Sequence, residues 1–184
     1  VEDSNNWNSA TLETDVCCGE LIYVDDTADG HNTGASWANA YSDLQRALVR
    51  AETGCGSEIW VATGQYTPST SNDNVAFYLI DGVGVYGGFA GYEIRRQDRD
   101  YISNETYLTG NDFVHRVVKA EGVTHTAVFD GFIIINAVSN GITCDEADPN
   151  IVNCTIKDNH WGIDCGSASN PIISRCTITG NQRG

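Results

Sequence analysis

Short apolar runs separated by Gly, Asn and Asp residues follow one another along most of the chain. Residues 59–62 read Ile-Trp-Val-Ala, and residues 77–80 read Phe-Tyr-Leu-Ile. Runs of this length between turn-forming residues are typical of β-strands. Since only one segment has a helical pattern, the sequence predicts an all-β fold.

The single helical pattern lies near the N-terminus. Four apolar residues recur at intervals of three and four positions, which places them on one face of a helix. They are Leu44, Ala47, Leu48 and Ala51. We predict a short α-helix over about 42–51. Ser42 is the expected N-cap, because its hydroxyl can accept a hydrogen bond from a free backbone N–H of the first turn.

A repeat with a step of 22 residues favours a β-helix over a β-sandwich. Residues 132–134 (Phe-Ile-Ile), 154–156 (Cys-Thr-Ile) and 176–178 (Cys-Thr-Ile) follow one another at this step. A unit this short cannot enclose its own core, so each copy must bury its apolar face against its neighbours. Three short strands and three turns fit one such coil. The repeat therefore predicts a parallel β-helix, a solenoid of about 22 residues per coil, with about seven coils from Leu21 onward.

The same patterns divide the chain into three parts. Polar, asparagine-rich residues 1–20 predict an N-terminal extension. Residues 21–58 contain the predicted helix and predict a cap that covers the open edge of the first coil. Residues 59–184 are predicted to form the coils.

Charge and hydropathy exclude two classes of partner. The chain has 25 acidic and 10 basic residues and a formal net charge of −15, which argues against nucleic acid because the phosphates would be repelled. No apolar run approaches the ~20 residues that span a membrane. The sequence begins at Val1 with neither an initiator Met nor a signal peptide, which predicts a mature product that is secreted or displayed at the cell surface.

Four of the seven cysteines occupy equivalent positions of the repeat. Cys144 is predicted to lie beneath Cys165, and Cys154 beneath Cys176. Equivalent positions in stacked coils form internal ladders of like residues, and thiols pack as small apolar groups. We therefore favour a cysteine ladder of free thiols over disulfides, since stacking sets the spacing of the sulfur atoms but not the bond geometry.

The other three cysteines lie outside the repeat. Cys17 or Cys18 is a candidate for a disulfide with Cys55, which would tie down the N-terminal segment. Zinc is the weaker alternative, because the sequence has no Cys-x-x-Cys spacing and its four histidines are scattered.

An acidic segment ahead of the helix has the composition of a calcium loop. Asp25, Asp26, Asp29 and Asn32 place oxygen ligands at short spacing around Gly30. The segment lacks the full EF-hand pattern and its closing Glu, so a solvated turn is the alternative. No cofactor other than Ca²⁺ is suggested by the sequence.

Carbohydrate enters the predictions in two ways, as a bound ligand and as a covalent modification. His160 and Trp161 carry rings that suit sugar stacking, although a turn with a partly buried Trp is the competing interpretation. Asn104 and Asn153 match the acceptor pattern for N-glycosylation.

The carboxylates of the repeat do not form a clear catalytic set. Glycoside hydrolysis needs paired carboxylates on adjacent coils, and Asp158 is replaced by Gly180 one coil further on. A lyase needs a base beside its Ca²⁺ ligands, and Lys157 and Arg175 do not visibly converge with the acids. No catalytic residue is assigned. An enzyme of this kind would be a polysaccharide lyase or a glycoside hydrolase.

Several segments resemble bacterial right-handed parallel β-helix repeat proteins. Residues 34–41 (Gly-Ala-Ser-Trp-Ala-Asn-Ala-Tyr), 59–68 and 85–93 carry this resemblance together with the two Cys-Thr-Ile repeats. Such proteins are common as large secreted or surface proteins of planctomycetes and related bacteria, and their repeats are similar to those of chlamydial polymorphic outer-membrane proteins. The resemblance covers residues 21–184 and implies a right-handed β-helix. It is poor for function, because the family is mostly uncharacterised.

Together these observations predict a non-enzymatic, extracellular structural or adhesive β-helix protein. The last coil carries no polar helix or charged cap, and an uncovered β edge is a template for another chain. We expect self-association, or association with other surface proteins, that leads end to end to a filament or surface layer. The alternative is a carbohydrate-binding or polysaccharide-cleaving module, whose partner is a polysaccharide.

Overall fold

The structure, a computed structural model, describes residues 19–53, 57–166 and 168–183. Within these ranges it has one α-helix, α1 (Leu44–Glu52), and fifteen short strands. The strands are β1 (Leu21–Val24), β2 (Glu58–Ala62), β3 (Gly64–Tyr66), β4 (Phe77–Tyr78), β5 (Gly84–Phe89), β6 (Thr106–Thr109), β7 (Arg116–Glu121), β8 (Val128–Asp130), β9 (Ile133–Ile135), β10 (Asn140–Asp145), β11 (Asn150–Val152), β12 (Thr155–Lys157), β13 (Trp161–Cys165), β14 (Ile172–Ser174) and β15 (Thr177–Thr179).

The strands form three sheets in which every pairing is parallel. Sheet 1 has the order β1-β2-β5-β8-β11-β14, sheet 2 the order β3-β6-β9-β12-β15, and sheet 3 the order β4-β7-β10-β13. From β2 onward the chain visits sheets 1, 2 and 3 in turn, so each strand pairs with the strand of the preceding circuit. The predicted all-β class with one short helix is confirmed, and its sheets are parallel.

The length of a circuit varies along the chain. In the last circuits the pairing follows the repeat, since Thr155 pairs with Thr177, 22 positions later. Earlier, Gly84 pairs with Val128, 44 positions later, because an excursion containing a 3-10 turn at Arg96–Asp98 leaves the sheets between β5 and β6. The segment that contains α1 also lengthens a circuit, since Leu21 pairs with Glu58, 37 positions later. Sheet 1 therefore has six strands, whereas a constant step predicted about seven coils.

Apolar side chains that point between the sheets stack on one another in register. One ladder crosses sheet 1 and is fully buried in its first five strands; a second crosses sheet 2. The first consists of Ile22, Ile59, Val85, Phe129 and Ile151, and the second of Tyr66, Leu108, Ile134 and Ile156. Burial of each such aliphatic or aromatic side chain contributes about 1.5–3 kcal/mol. These ladders form the main part of a single core.

The corners between sheets are built from residues in the left-handed backbone region, and they recur at the 22-residue step. From sheet 1 to sheet 2 the positions are Gly131, Asn153 and Arg175, and from sheet 2 to sheet 3 they are Asn136, Asp158 and Gly180. Gly, Asn and Asp enter this region at low cost, and Arg does so less readily. Each circuit therefore turns in the same way as the one before it.

A buried amide closes the corner between sheets 2 and 3. The Asn159 side chain is 2% exposed and donates to the carbonyl of Ile134 at 3.1 Å, while its oxygen accepts from the N–H of Ala137 at 2.9 Å. Asn181 repeats the arrangement one circuit later by donating to the carbonyl of Ile156 at 2.9 Å. These amides satisfy backbone groups that the turn leaves without a strand partner.

Helix α1 lies against β1, β2 and β4 and buries the four predicted apolar residues. Its N-cap is Asp43, whose carboxylate accepts a hydrogen bond from the N–H of Gln45 at 2.8 Å. The prediction that Ser42 caps the helix is therefore wrong. The N–H of Ser42 instead donates to the side chain of Asn32 at 3.1 Å, which holds Ser42 outside the first turn.

The outer face of sheet 1 carries an aromatic cluster. Tyr23, Trp60 and Tyr86 stack in register on β1, β2 and β5, and Phe89 stacks on Trp60 with ring centroids 4.7 Å apart. The guanidinium of Arg96 lies over the Tyr86 ring at 4.5 Å, an arrangement in which the cation is attracted to the ring face. The excursion between β5 and β6 thus packs on the outside of sheet 1.

No helix in the described ranges is long and apolar enough to cross a membrane.

Ile156 tests the ladder in sheet 2. Its side chain is completely buried between Ile134 and Ile178, so Ile156→Ala should lower the free energy of unfolding by about 2–5 kcal/mol through lost burial and a cavity. The same change at Ile178, which is 45% exposed, should cost about 1 kcal/mol or less. Urea denaturation measures both values. Equal losses at the two positions would contradict the stacked core.

Candidate functional site: the corner groove between sheets 1 and 2

The corner between sheets 1 and 2 has the same construction in the last two circuits. Asn153 and Cys154 connect β11 to β12, and Arg175 and Cys176 connect β14 to β15. Asn153 and Arg175 have φ angles of 51° and 52°, so both corners turn within two residues. Because Thr155 pairs with Thr177, the two cysteines lie one above the other on neighbouring circuits.

A polar ladder runs along the outside of this corner. The amide nitrogen of Asn153 donates to a carboxylate oxygen of Asp130 at 2.7 Å, and the Nε of Arg175 donates to the Asn153 oxygen at 2.8 Å. Arg99 pairs with the other oxygen of Asp130 at 2.7 Å; the two side chains are only 10% and 13% exposed. Its guanidinium also donates to the carbonyl of Gly87 at 2.7 Å. The largely covered Asp130 charge is therefore paired and hydrogen-bonded, which offsets the cost of removing it from water.

A groove of about 250 Å³ follows the corner. We call it the corner groove. Its lining combines an aromatic ring, a carboxylate, an amide, a guanidinium and a thiol, supplied by Tyr101, Glu105, Asn153, Arg175 and Cys154. The Tyr101 hydroxyl lies 3.4 Å from the Asn153 oxygen, which ties the excursion to the corner. These groups can hydrogen-bond a polyol and pair with an anionic substituent.

The two stacked thiols differ in exposure. Cys154 is 2% exposed and donates to the carbonyl of Val152 at 3.2 Å. Cys176 is half-buried and donates to the carbonyls of Ser174 and Ile151 at 3.3 and 3.5 Å.

The thiols also differ in acidity. Burial raises the pKa of Cys154 well above its ordinary value. The neighbouring Cys154 thiol lowers the pKa of Cys176 to about 7, against the opposing effect of burial. The pair thus combines a readily ionised sulfur with a protonated one.

The second predicted pair of cysteines lies in sheet 3. Cys144 on β10 pairs in register with Cys165 on β13; Cys144 is buried and Cys165 is exposed. Burial raises the pKa of Cys144 to about 12, and it also raises the pKa of Cys165. All four cysteines of the repeat are free thiols in the structure, and each predicted pair lies on neighbouring circuits.

The predicted carbohydrate contacts lie away from the corner groove. Trp161 begins strand β13 in sheet 3 and is half-buried, with the guanidinium of Arg183 over its ring at 5.0 Å. A ring nitrogen of His160 hydrogen-bonds the side-chain oxygen of Gln182 at 2.9 Å. The two predicted rings are 6.1 Å apart in an edge arrangement and so do not form one flat stacking platform.

The predicted calcium ligands bond mainly to the chain itself. Asp25 accepts hydrogen bonds from the N–H and hydroxyl of Thr27 at 2.9 and 2.7 Å. Asp26 accepts one from the N–H of Gln65 at 3.2 Å, and Asn32 accepts one from a backbone N–H ahead of α1. Across the part of the chain that the structure describes, no group of three or more His, Cys, Asp or Glu is arranged to hold a metal ion.

The remaining predicted residues fall into two groups. Asn104 is half-buried and donates to the carbonyl of Gly88 at 3.4 Å; Asn153 belongs to the polar ladder. Glycosylation of either stays a prediction. The disulfide predicted between Cys17 or Cys18 and Cys55 lies outside the described residues.

Sequence reasoning missed most of the corner groove. The 22-residue step does align Asn153 with Arg175, because each directly precedes a repeated cysteine, and that alignment was the available signal. Arg99 and Tyr101 lie on the excursion, which has no counterpart in the other circuits. No periodic pattern could have assigned them to this corner.

Comparisons of the chain with protein-family models, with curated proteins and with solved structures found no match in any of the three. A functional proposal therefore rests on the geometry and on the sequence patterns.

The calcium hypothesis can be tested by thermal melting. We expect about 5 mM Ca²⁺ to leave Tm unchanged, because three of the four predicted ligands already accept hydrogen bonds from the chain; a ligand that binds only the folded state would raise Tm. The control is Asp29→Asn, which removes an exposed carboxylate. A saturable rise in Tm that disappears in this variant would show that the loop binds Ca²⁺.

Proposed function

We propose that the chain is an extracellular structural or adhesive protein, built as a right-handed parallel β-helix with an N-terminal cap that contains α1. The circuit through three parallel sheets supports this architecture, and crossovers between parallel strands are almost always right-handed. The contacts of α1 with β1, β2 and β4 support a cap at that end. The resemblance of residues 21–184 to secreted bacterial repeat proteins points to the same location.

The observation that carries the proposal is an apolar surface on the outermost circuit. Ile172, Ile173 and Ile178 on β14 and β15 are 46%, 41% and 45% exposed, whereas Ile151 and Ile156, one circuit below, are completely buried. Within the described residues, β14 and β15 are the last strands of sheets 1 and 2, and their apolar side chains are partly exposed. Such an edge favours pairing with another β-strand. We call it the edge surface.

The partner that we propose is a second copy of the chain. Two copies that join through the edge surface continue both isoleucine ladders into each other. The net charge of −15 opposes their approach, and this repulsion is screened at physiological salt. A filament or surface layer needs a second contact, because α1 lies against edge strands at the other end. Other surface proteins, or a further face of the same chain, supply that contact.

Sedimentation velocity and electron microscopy of the purified chain test self-association. We expect dimers or larger assemblies that increase with salt, and we expect Ile173→Lys together with Ile178→Lys to give monomers, because two buried charges would oppose the contact. The matched control is Ile94→Lys on the excursion, where the side chain is 85% exposed; it should assemble like the original chain. Monomers of the original chain at all salt concentrations, or equal losses in both variants, would contradict the proposal.

A second candidate function is polysaccharide binding at the corner groove. The Tyr101 ring and the Arg175 guanidinium line this groove, and they suit a sugar ring and a uronate carboxylate, respectively. The proposed contact differs from the one predicted at His160 and Trp161, so variants can distinguish the two locations.

Isothermal titration with oligogalacturonate tests this candidate. Binding at the corner groove should weaken at least about tenfold in Tyr101→Ala and Arg175→Ala, since each removes a direct contact. Tyr92→Ala, which changes a side chain 78% exposed on the same excursion, is the control. Loss of binding in Trp161→Ala alone would favour the location predicted from the sequence, and no heat of binding would exclude this ligand.

A further inference from the structure

The exposed face of α1 carries two arginines and a valine. Arg46, Val49 and Arg50 lie opposite the four buried residues of the helix, since each residue turns it by about 100°, and Val49 is 63% exposed. A groove of about 430 Å³ follows this face from Tyr41, ahead of the helix, to Thr53 at its end. We call it the helix groove. No described acidic residue lines it, so it is a basic, partly apolar surface on a molecule whose net charge is −15.

The two arginines differ in what they already contact. Arg50 pairs with Glu20 at 2.8 Å, and about half of each side chain stays exposed. The guanidinium of Arg46 lies over the Tyr41 ring at 5.3 Å. None of the ion pairs between described residues includes Arg46. Its charge can therefore pair with a carboxylate from outside the described ranges.

The segment of residues 1–18, which lies outside the described ranges, joins the fold beside this groove. It connects to Glu20 through Gly19, and Glu20 is held at Arg50. Arg46 lies four residues from Arg50, or about 6 Å along the helix axis. The five residues that precede Glu20 span up to about 17 Å when they are extended. The segment can thus reach along the groove while the described fold stays unchanged.

The composition of residues 1–18 complements the helix groove. The segment contains four carboxylates and no Lys, Arg or His. Two of the carboxylates, Glu13 and Asp15, lie close to the connection with the fold, and the apolar residues Leu12 and Val16 flank them. Such a sequence offers both an acidic partner for the arginines and an apolar cover for Val49.

A second groove, on the other side of Val49, does not offer this complement. It has a volume of about 450 Å³, and its lining includes Glu52, Asp81 and Glu121 beside apolar residues. These carboxylates would repel an acidic segment. Charge therefore favours the helix groove over its neighbour.

We propose that residues 1–18 of the same chain dock in the helix groove. Glu13 and Asp15 face the two arginines, and Leu12 covers Val49. Exposed ion pairs are individually weak, but a tether that begins beside the groove gives the segment a high effective concentration there. A second copy of the chain or a separate acidic peptide has similar chemistry and lacks this tether. The inference concerns the N-terminal end of the fold and does not depend on the edge surface or on the corner groove.

Photocrosslinking of the intact chain tests the proposal. The probe is Val49→p-benzoylphenylalanine. The control probe replaces Tyr78, which lines the second groove and is 44% exposed. After irradiation, peptide mapping locates each linkage, and denaturing electrophoresis separates linkage within one chain from linkage between copies. We expect the Val49 probe to link to residues 10–16 of its own chain, with a yield at least about fivefold above that of the Tyr78 probe.

Charge reversal tests which interactions hold the segment. Arg46→Glu together with Arg50→Glu should lower the yield of this linkage at least about threefold, because the groove would then repel the carboxylates. Adding Glu13→Arg and Asp15→Arg to that variant should restore the yield, which a loss through misfolding would not allow. The yield in the original chain should also fall as salt concentration rises.

The matched control is Arg116→Glu together with Lys157→Glu. It makes the same change in net charge on β7 and β12 and should leave the yield unchanged. The inference would be overturned by linkage between copies alone, by equal yields from the two probes, or by complete photolysis without linkage to residues 1–18. A yield that neither falls on reversal of the arginines nor returns on exchange of the charges would also overturn it.

Discussion

In-register parallel pairing is the constraint on which the rest of this structure depends. It places each side chain directly above the equivalent residue of the preceding circuit, so every position must tolerate its own kind as a neighbour. Apolar residues satisfy this condition by forming the ladders that cross sheets 1 and 2. Thiols satisfy it because they are small and weakly polar. Charges do not, and the described ladders of the core accordingly contain none.

At two corners, polar groups enter the stack where a neighbouring circuit supplies a hydrogen-bond partner. Asn159 and Asn181 are accepted at the corner between sheets 2 and 3 because an amide both donates and accepts, so one copy can bond the next. On the outside of the corner between sheets 1 and 2, Asn153 donates to the carboxylate of Asp130 on one neighbouring circuit and accepts from the guanidinium of Arg175 on the other. The repeat therefore varies in chemistry while its backbone conformation is constant.

Periodicity determined how much of this could be predicted. The stacking of Cys154 with Cys176 and of Ile156 with Ile178 follows from the 22-residue step, because a fixed step fixes the register. The N-cap did not follow, since the choice between Ser42 and Asp43 depends on a contact with distant Asn32. The excursion between β5 and β6 also has no periodic signal, which accounts for the unpredicted contacts of Arg99 with Asp130 and Gly87. This excursion and the segment that contains α1 both lengthen a circuit, so fewer circuits form than a constant step predicts.

The left-handed corners change the interpretation of the polar composition. Asn136, Asp158 and Gly180 occupy the same corner in successive circuits, with φ angles of 56°, 56° and 67°. The change from Asp to Gly between circuits therefore keeps the backbone conformation although it removes the charge. A share of the Asn, Asp and Gly residues in this chain is thus selected for how the backbone turns. Where parallel sheets are joined by such repeated corners, an acidic residue can be present because the backbone there needs a left-handed conformation, and its charge alone does not indicate a ligand site.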